Sequence, residues 1–239
     1  MGKPLREWKV FPHGPLVELE PDILTVVGEI QMPLMEFPRR MTLLRLKDGG
    51  VVVFNAIALE EDLMARIEAF GEPRFLIVPN DHHRLDAGIW KERYPGAQVV
   101  TPGGSVERVE EVVHVDTAHP RFDDPDIVFE TVPGTGNREA AVVFHTTLGA
   151  TLVLNDLVGN LRNVQGVGGW MLRLMGFASD EPRVPRPPML TLISDKQALR
   201  EQFERWSHLP LLRRILVSHG EPIEDRPAEA LLDLARSLA

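Results

Sequence analysis

Histidines and carboxylates that could bind a metal ion occur where several apolar runs end. Residues 80–86 read NDHHRLD directly after the apolar run RFLIVP. Asn155-Asp156 follow ATLVL, and Ser218-His219-Gly220 follow RRILV. The chain has no cysteine, so a metal would be held by His, Asp or Glu alone. A cluster of imidazoles and carboxylates at the end of a buried strand is where a metal enzyme would hold its ligands.

A fourth polar turn supplies candidate substrate contacts. Gly134-Thr135-Gly136-Asn137 follows the run DIVFETVP. We expect Thr135 and Asn137 to contact a small-molecule substrate or ligand. Arg84, if its side chain points inward, could bind an anionic group of that molecule.

The elements that must position these residues follow a βα pattern. The Asp48-Gly49 turn between two aliphatic runs predicts an antiparallel hairpin. Residues 60–70 place Leu63, Ile67 and Phe70 on one helical face. A buried strand, a short helix and another strand come next, and this alternation predicts parallel strands. Later predicted strands are VVHVDT, DIVFETVPG, EAAVVFHTT, ATLVLND and RRILVS.

The polar residues all lie at the carboxyl ends of predicted strands. In sheets with parallel strands, ligand sites lie beyond those ends. We therefore expect four strand ends to converge on one site. Glu139 and His145 share one face of a predicted strand, where either a surface ion pair or a functional role is consistent with the pattern.

Composition excludes several classes of protein. The formal net charge is −9 and the basic residues are scattered, which argues against a nucleic-acid partner. No apolar run is long enough to span a membrane and the N-terminal residues do not resemble a signal peptide, so we expect a cytoplasmic protein with no membrane partner. No G-x-S-x-G motif occurs, which argues against a serine hydrolase of that type.

We expect a single domain over residues 1–239, with an inserted helix and loop at about 159–189. Within this insertion, the stretch GGWMLRLMGF is rich in large apolar residues. It predicts either a helix or lid packed onto the domain, or an apolar wall or homodimer contact.

Several phrases resemble the metallo-β-lactamase superfamily. They are LIVPNDHHRLDAGIW, TVPGTG, ATLVLNDL and ILVSHGEP. The phrase EAAVVFHTTLGATLVLNDLVGNL, with PNDHH and YPGAQVVTP, is similar to an uncharacterised branch of that superfamily. The resemblance runs from Leu16 to the C-terminus. It implies an α/β fold of the αββα four-layer sandwich type, with a site at one edge between the sheets.

The resemblance also implies roles for individual residues. Asp156 matches the Asp that bridges two metals in the superfamily, and His219 matches the final His. The third His is lost, because the usual PGH turn reads Pro133-Gly134-Thr135. In the first motif, H-x-H-x-D-H, no register restores the full set.

Three registers of the first motif were compared. Placing Asn80 first retains only His82, placing His82 first retains His82 and Asp86, and placing Asp81 first retains His83. We therefore expect a hydrolase of unknown substrate in which at most one divalent metal ion (zinc, iron or manganese) activates water, with Asp86 and Asp156 as catalytic candidates. The candidate ligands are His82, His83, Asp86, Asp156 and His219. The alternative is a metal-free relative of the fold that acts as a binding or scaffolding protein.

Overall fold

The structure is a computed structural model that describes residues 3–32 and 35–239. The chain divides into two compact units. Unit 1 comprises Met1–Met32 and Phe37–Pro125, and most of unit 2 is Asp126–Ala239. The single domain over 1–239 stays a prediction.

Unit 1 contains a sheet whose strands follow chain order. They are β1 (Val17–Glu20), β2 (Ile23–Met32), β3 (Met35–Arg45), β4 (Gly50–Phe54), β5 (Glu72–Ile77) and β6 (Gln98–Val100). The pairs β1–β2 and β3–β4 are antiparallel, whereas β4, β5 and β6 are parallel to one another. The helices of this unit are α1 (Glu61–Phe70), α2 (Ala87–Arg93) and α3 (Val106–Glu110).

Local sequence explains the order of these elements. Gly49 has a positive φ of 86° in the turn between β3 and β4, and the Asp48 carboxylate accepts the Gly50 N–H at 2.9 Å. This confirms the predicted hairpin. Helix α1 then buries Met64 and Ile67, and the crossover that it makes is what allows β4 and β5 to run parallel.

The strand predicted for VVHVDT is wrong. Its residues form no named strand of unit 1, and Thr117 makes an isolated bridge to Val100. The Asp116 carboxylate accepts the Val99 N–H at 2.7 Å. The Asp116 side chain therefore takes the hydrogen bond from β6 that the backbone of a neighbouring strand would otherwise accept.

Unit 2 contains a second sheet, in the order β10-β9-β8-β7. Its strands are β7 (Ile127–Thr131), β8 (Ala140–Thr146), β9 (Gly149–Asn160) and β10 (Leu212–Gly220). The pairs β7–β8 and β8–β9 are antiparallel and β9–β10 is parallel. Strands β7, β9 and β10 therefore run in one direction, and their carboxyl ends lie at one edge of this sheet.

Unit 2 also contains helices, some of which pack on its sheet. They are α4 (Gly166–Met175), α5 (Arg186–Thr191), α6 (Lys196–Ser207) and α7 (Pro227–Arg236). The Asp195 carboxylate caps α6 by accepting the Ala198 N–H at 3.0 Å. Phe203 and Trp206 of α6 and Leu231 of α7 join one core cluster with the strands, and every residue of β9 is buried.

Helix α4 lies in the stretch predicted as an insertion. It buries Gly169 and Leu172 and exposes Val167, Trp170 and Leu174, with Trp170 63% exposed. None of the described helices is long and apolar enough to cross a membrane.

Candidate metal centre

Two of the predicted ligands meet at one edge of the sheet in unit 2. His219 Nε2 lies 2.9 Å from Asp156 Oδ1, within hydrogen-bond distance. Both residues are buried, Asp156 at 7% and His219 at 1% exposure. Because β9 and β10 run parallel, their carboxyl ends bring a carboxylate and an imidazole together, as the sequence pattern predicts.

A break in the strand pairing accompanies this pair. Strands β9 and β10 are in register from Arg214↔Thr151 to Val217↔Leu154, after a first shift between Leu212 and Arg214, and pairing resumes at His219↔Gly159. Residues 155–158 of β9 therefore lie opposite the single residue Ser218 of β10. Such bulges redirect side chains and occur often beside active sites.

The backbone after His219 is held against β9. Gly220 has a φ of 138°, and a Cβ there would lie 2.3 Å from the Asn160 carbonyl atoms. Asn160 Nδ2 donates to the Glu221 carbonyl at 2.8 Å, and the Glu221 N–H donates to the Asn160 carbonyl at 2.9 Å. The chain therefore turns tightly after His219, and only glycine fits at position 220.

An aromatic ring packs against the imidazole. The rings of Phe177 and His219 meet edge to face, with centroids 5.3 Å apart at an angle of 81°. Phe177 is itself buried. This contact covers one side of the imidazole with apolar surface and limits its rotation.

In unit 1, the turn after β5 separates the two adjacent histidines. The Asn80 Oδ1 accepts the N–H groups of His82, at 2.8 Å, and His83, at 3.1 Å. The His82 side chain is 45% exposed and lies 3.7 Å from an Asp81 carboxylate oxygen. The His83 side chain is partly buried, and its Nδ1 lies 3.0 Å from Asn55 Oδ1.

The contact with Asn55 identifies a donor nitrogen of His83. Asn55 Nδ2 donates to the Arg40 carbonyl at 2.8 Å, so the amide oxygen of Asn55 faces His83. Nδ1 of His83 is therefore the donor in this hydrogen bond. Metal-binding histidines usually have one nitrogen fixed in this way while the other coordinates.

Asp86 and Arg84 have partners within unit 1. The Asp86 carboxylate pairs with Arg39 at 2.5 Å, with the two side chains 0% and 3% exposed, and accepts the Ala58 N–H at 3.0 Å. Arg84 pairs with Glu111 at 2.6 Å and donates to the Arg108 carbonyl. The hydrogen bond from Arg84 lowers the pKa of the Glu111 carboxyl.

The predicted substrate contacts of unit 2 lie in the turn after β7. Thr135 is fully buried, and its hydroxyl donates to the Val132 carbonyl at 2.7 Å. Asn137 is exposed and has a positive φ of 58°. Thr135 thus helps to form the turn, whereas Asn137 presents its amide to solvent.

Sequence reasoning missed Asn55, and it included Phe177 in a stretch with an apolar wall among its predicted roles without linking this residue to His219. Asn55 ends the run VVVFN, so the rule that selected polar residues at strand ends could have found it. Phe177 lies in the 159–189 insertion, where no pattern links it to His219. His145, whose role was left open, lies in β8 and is partly buried.

Comparisons with known proteins identify the fold. A scan with protein-family models finds no match, and neither does a search of curated proteins. Solved structures do match. A metallo-β-lactamase from Erythrobacter litoralis, with β-mercaptoethanol in its active site, has a TM-score of 0.66 at 14% identity, covering 93% of this chain and 96% of that one.

Two further structures match over similar lengths. A metallo-β-lactamase from Pontibacter korlensis has a TM-score of 0.63 at 13% identity, covering 93% of this chain and 98% of that one. FIM-1 from Pseudomonas aeruginosa, in its mono-zinc form, has a TM-score of 0.59 at 13% identity, covering 96% and 97%. The chain has the metallo-β-lactamase fold, and the fold class predicted from the sequence is confirmed. At these identities the likeness concerns the fold.

Proposed function

We propose that this chain is a hydrolase-like protein that uses a single divalent cation. Asp156 and His219 are the two principal ligands, and the observation that carries the proposal is their buried contact at 2.9 Å. Buried acidic and imidazole groups at the end of parallel strands are typical of a functional site. The proposed substrate is a small molecule.

The chemistry of the donors fits such an ion. A carboxylate oxygen and an imidazole nitrogen suit zinc, iron or manganese, and the chain has no thiolate to compete. One of the matching structures, FIM-1, is a mono-zinc form. When bound, a divalent cation supplies a Lewis acid that lowers the pKa of water and polarises the scissile bond.

Within unit 1, the three candidate donors differ in their exposure and in their partners. His83 is partly buried, and its Nδ1 lies 3.0 Å from Asn55 Oδ1. The His82 side chain is 45% exposed, and the Asp86 carboxylate forms an ion pair with Arg39. None of the three is one of the two principal ligands.

Other residues of the centre restrict the movement of His219. Phe177 shields one side of the His219 ring, and Gly220 with Asn160 fixes the backbone that carries it. A ligand held in this way loses little conformational freedom on binding, so its affinity for the ion is higher.

A metal-free binding or scaffolding protein is the second candidate. The observation that favours it is that Asp156 and His219 bond each other directly. A carboxylate and an imidazole that satisfy one another are stable without an ion. The two candidates therefore differ in whether an ion replaces this hydrogen bond.

Metal analysis of the untagged full chain distinguishes them. The proposal predicts close to one zinc, iron or manganese ion per chain, and a rise in Tm when that ion is added to metal-depleted protein. Asp156→Asn and His219→Gln should each abolish both effects. His114→Gln is the control, because His114 is 77% exposed. Absence of uptake and of a Tm shift in the wild-type protein would favour the second candidate.

A further inference from the structure

The segment of β9 that carries Asp156 lies between two paired stretches. With β10, pairing stops at Leu154 and resumes at Gly159. With β8, the register runs from Thr146↔Gly149 to Val142↔Val153. Within the part of the chain that the structure describes, Asp156 therefore lies beyond the regular ladders with β8 and β10. Contacts outside these two ladders are needed to fix the backbone at this position.

A buried carboxylate meets this need. Glu139 directly precedes β8 and is 0% exposed. Its Oε1 accepts the backbone N–H of Asp156 at 2.9 Å, and its own carbonyl accepts the Val132 N–H at 2.8 Å. Glu139 thus joins the end of β7 to the irregular part of β9.

We propose that Glu139 is a positioning residue for the metal centre. By accepting the Asp156 N–H, it holds the backbone of that residue where the carboxylate reaches His219. This inference rests on the proposed function for its effect on metal affinity. Its effect on the Asp156–His219 contact does not depend on a metal.

Three substitutions separate the possible contributions of Glu139. Glu139→Gln keeps an oxygen at the same distance and loses the charge. Glu139→Asp keeps the charge but is one methylene too short to reach. Glu139→Leu removes both. The proposal predicts that Gln preserves the centre, whereas Asp and Leu disturb it.

A partly buried contact in unit 2 provides the matched control. The Glu130 carboxylate of β7 accepts hydrogen bonds from Gln202, at 3.0 Å, and from Trp206, at 2.9 Å, both on α6. Glu130→Leu removes a carboxylate that links the same sheet to a helix. It should lower Tm without changing the metal centre.

The first measurement is zinc affinity by calorimetry on the full chain. Substitution of groups that orient metal ligands typically weakens affinity about 10- to 100-fold. We expect such a loss in Glu139→Asp and Glu139→Leu, and wild-type affinity in Glu139→Gln and Glu130→Leu. Equal losses in Gln and Leu with none in Asp would show that charge is what matters, and would overturn the proposal.

The second measurement uses metal-free protein. Long-range ¹H–¹⁵N spectra report the state of the two His219 ring nitrogens. We expect the wild-type signals in Glu139→Gln and Glu130→Leu and displaced signals in Glu139→Asp. Unchanged His219 signals in Glu139→Asp would overturn the inference. If the wild-type chain binds no metal, the proposed function fails and this second measurement still decides the role of Glu139.

Discussion

The two units carry strand-end polar residues that have different partners. In unit 1, the segment 80–86 contributes Asp86 to a buried ion pair with Arg39, and Arg84 to a pair with Glu111. In unit 2, Asp156 and His219 contact each other. The first segment has the denser cluster of polar residues, and the second contains the carboxylate–imidazole pair of the proposed metal centre.

The number of polar residues in a segment is therefore a poor guide to where a metal ion would bind. A carboxylate that neutralises a buried guanidinium would leave an unpaired charge if it moved to bind a metal. A carboxylate bonded to an imidazole can exchange that one hydrogen bond for coordination. The partners of each side chain, rather than the motif that contains it, distinguish the two regions.

The largest expected effect comes from breaking the Asp86–Arg39 pair. Asp86→Leu leaves the Arg39 guanidinium buried without its carboxylate, so we expect the free energy of unfolding to fall by about 3–5 kcal/mol. Urea denaturation of the variant measures this loss. The double variant Arg39→Met/Asp86→Leu should recover most of it. If Asp86→Leu instead keeps its stability and loses zinc uptake, Asp86 is a ligand and the comparison is wrong.

Gly220→Ala tests the backbone that holds His219. The new Cβ meets the Asn160 backbone and the positive φ is unfavourable, so we expect a loss of about 1–3 kcal/mol and weaker zinc binding. Gly96→Ala is the control, because a Cβ at Gly96 has no neighbour within 4 Å. Thermal denaturation and calorimetry provide the two readouts. Wild-type stability and affinity in Gly220→Ala would show that the tight turn is unimportant.

Asn155→Leu tests whether the proposed metal centre includes Asn155, which lies in the bulge of β9. Asn155 is fully buried, and among the described residues neither amide atom has a hydrogen-bond partner. Replacing an unsatisfied amide with an apolar group of similar size should stabilise the protein by about 1 kcal/mol and leave zinc affinity unchanged. Differential scanning calorimetry checks the stability. A variant that loses both stability and zinc binding would place Asn155 in the centre.

The smallest effect concerns the histidine–carboxylate pair of unit 1, His13 and Glu60. Burial lowers the pKa of His13, but hydrogen bonds to the Gly14 carbonyl and the Glu60 carboxylate outweigh it and raise the pKa overall. The stability from this pair is therefore fully present below about pH 6 and is lost as the pH rises through the raised pKa.

His13→Gln measures this contribution. Its Tm should lie below that of the wild type at pH 5.5, and the gap should narrow as the pH rises through the raised pKa, because the wild-type His13 then loses its proton. At each pH, the zinc affinity of His13→Gln should equal that of the wild type. A gap that widens at high pH would contradict the sign of this shift.

Much of the fold follows from sequence because its signals are local. The Asp48-Gly49 turn and the βα alternation predict the hairpin and the parallel strands, and the structure contains both. The pairing of β9 and β10 brings Asp156 and His219 together, as the rule for parallel strand ends predicts. The VVHVDT prediction fails because the Asp116 side chain occupies the edge that a strand would need.

The partners of the side chains could not be predicted, because they depend on contacts between residues far apart in the chain. The sequence offers His82 and His83 equally, and the Asn80 turn and the position of Asn55 distinguish them. Asp86 matches a ligand position in one register, whereas its partner Arg39 lies on a distant strand. The contact of Glu139 with Asp156 depends on the register of β8 against β9.

Anomalous diffraction at the zinc edge, from crystals of the full chain soaked in zinc, tests the central claim most directly. The account predicts one peak in contact with Asp156 and His219, and loss of that peak in Asp156→Asn. A peak bound to other residues would contradict the account. So would a structure in which zinc is absent and Asp156 still bonds His219 directly.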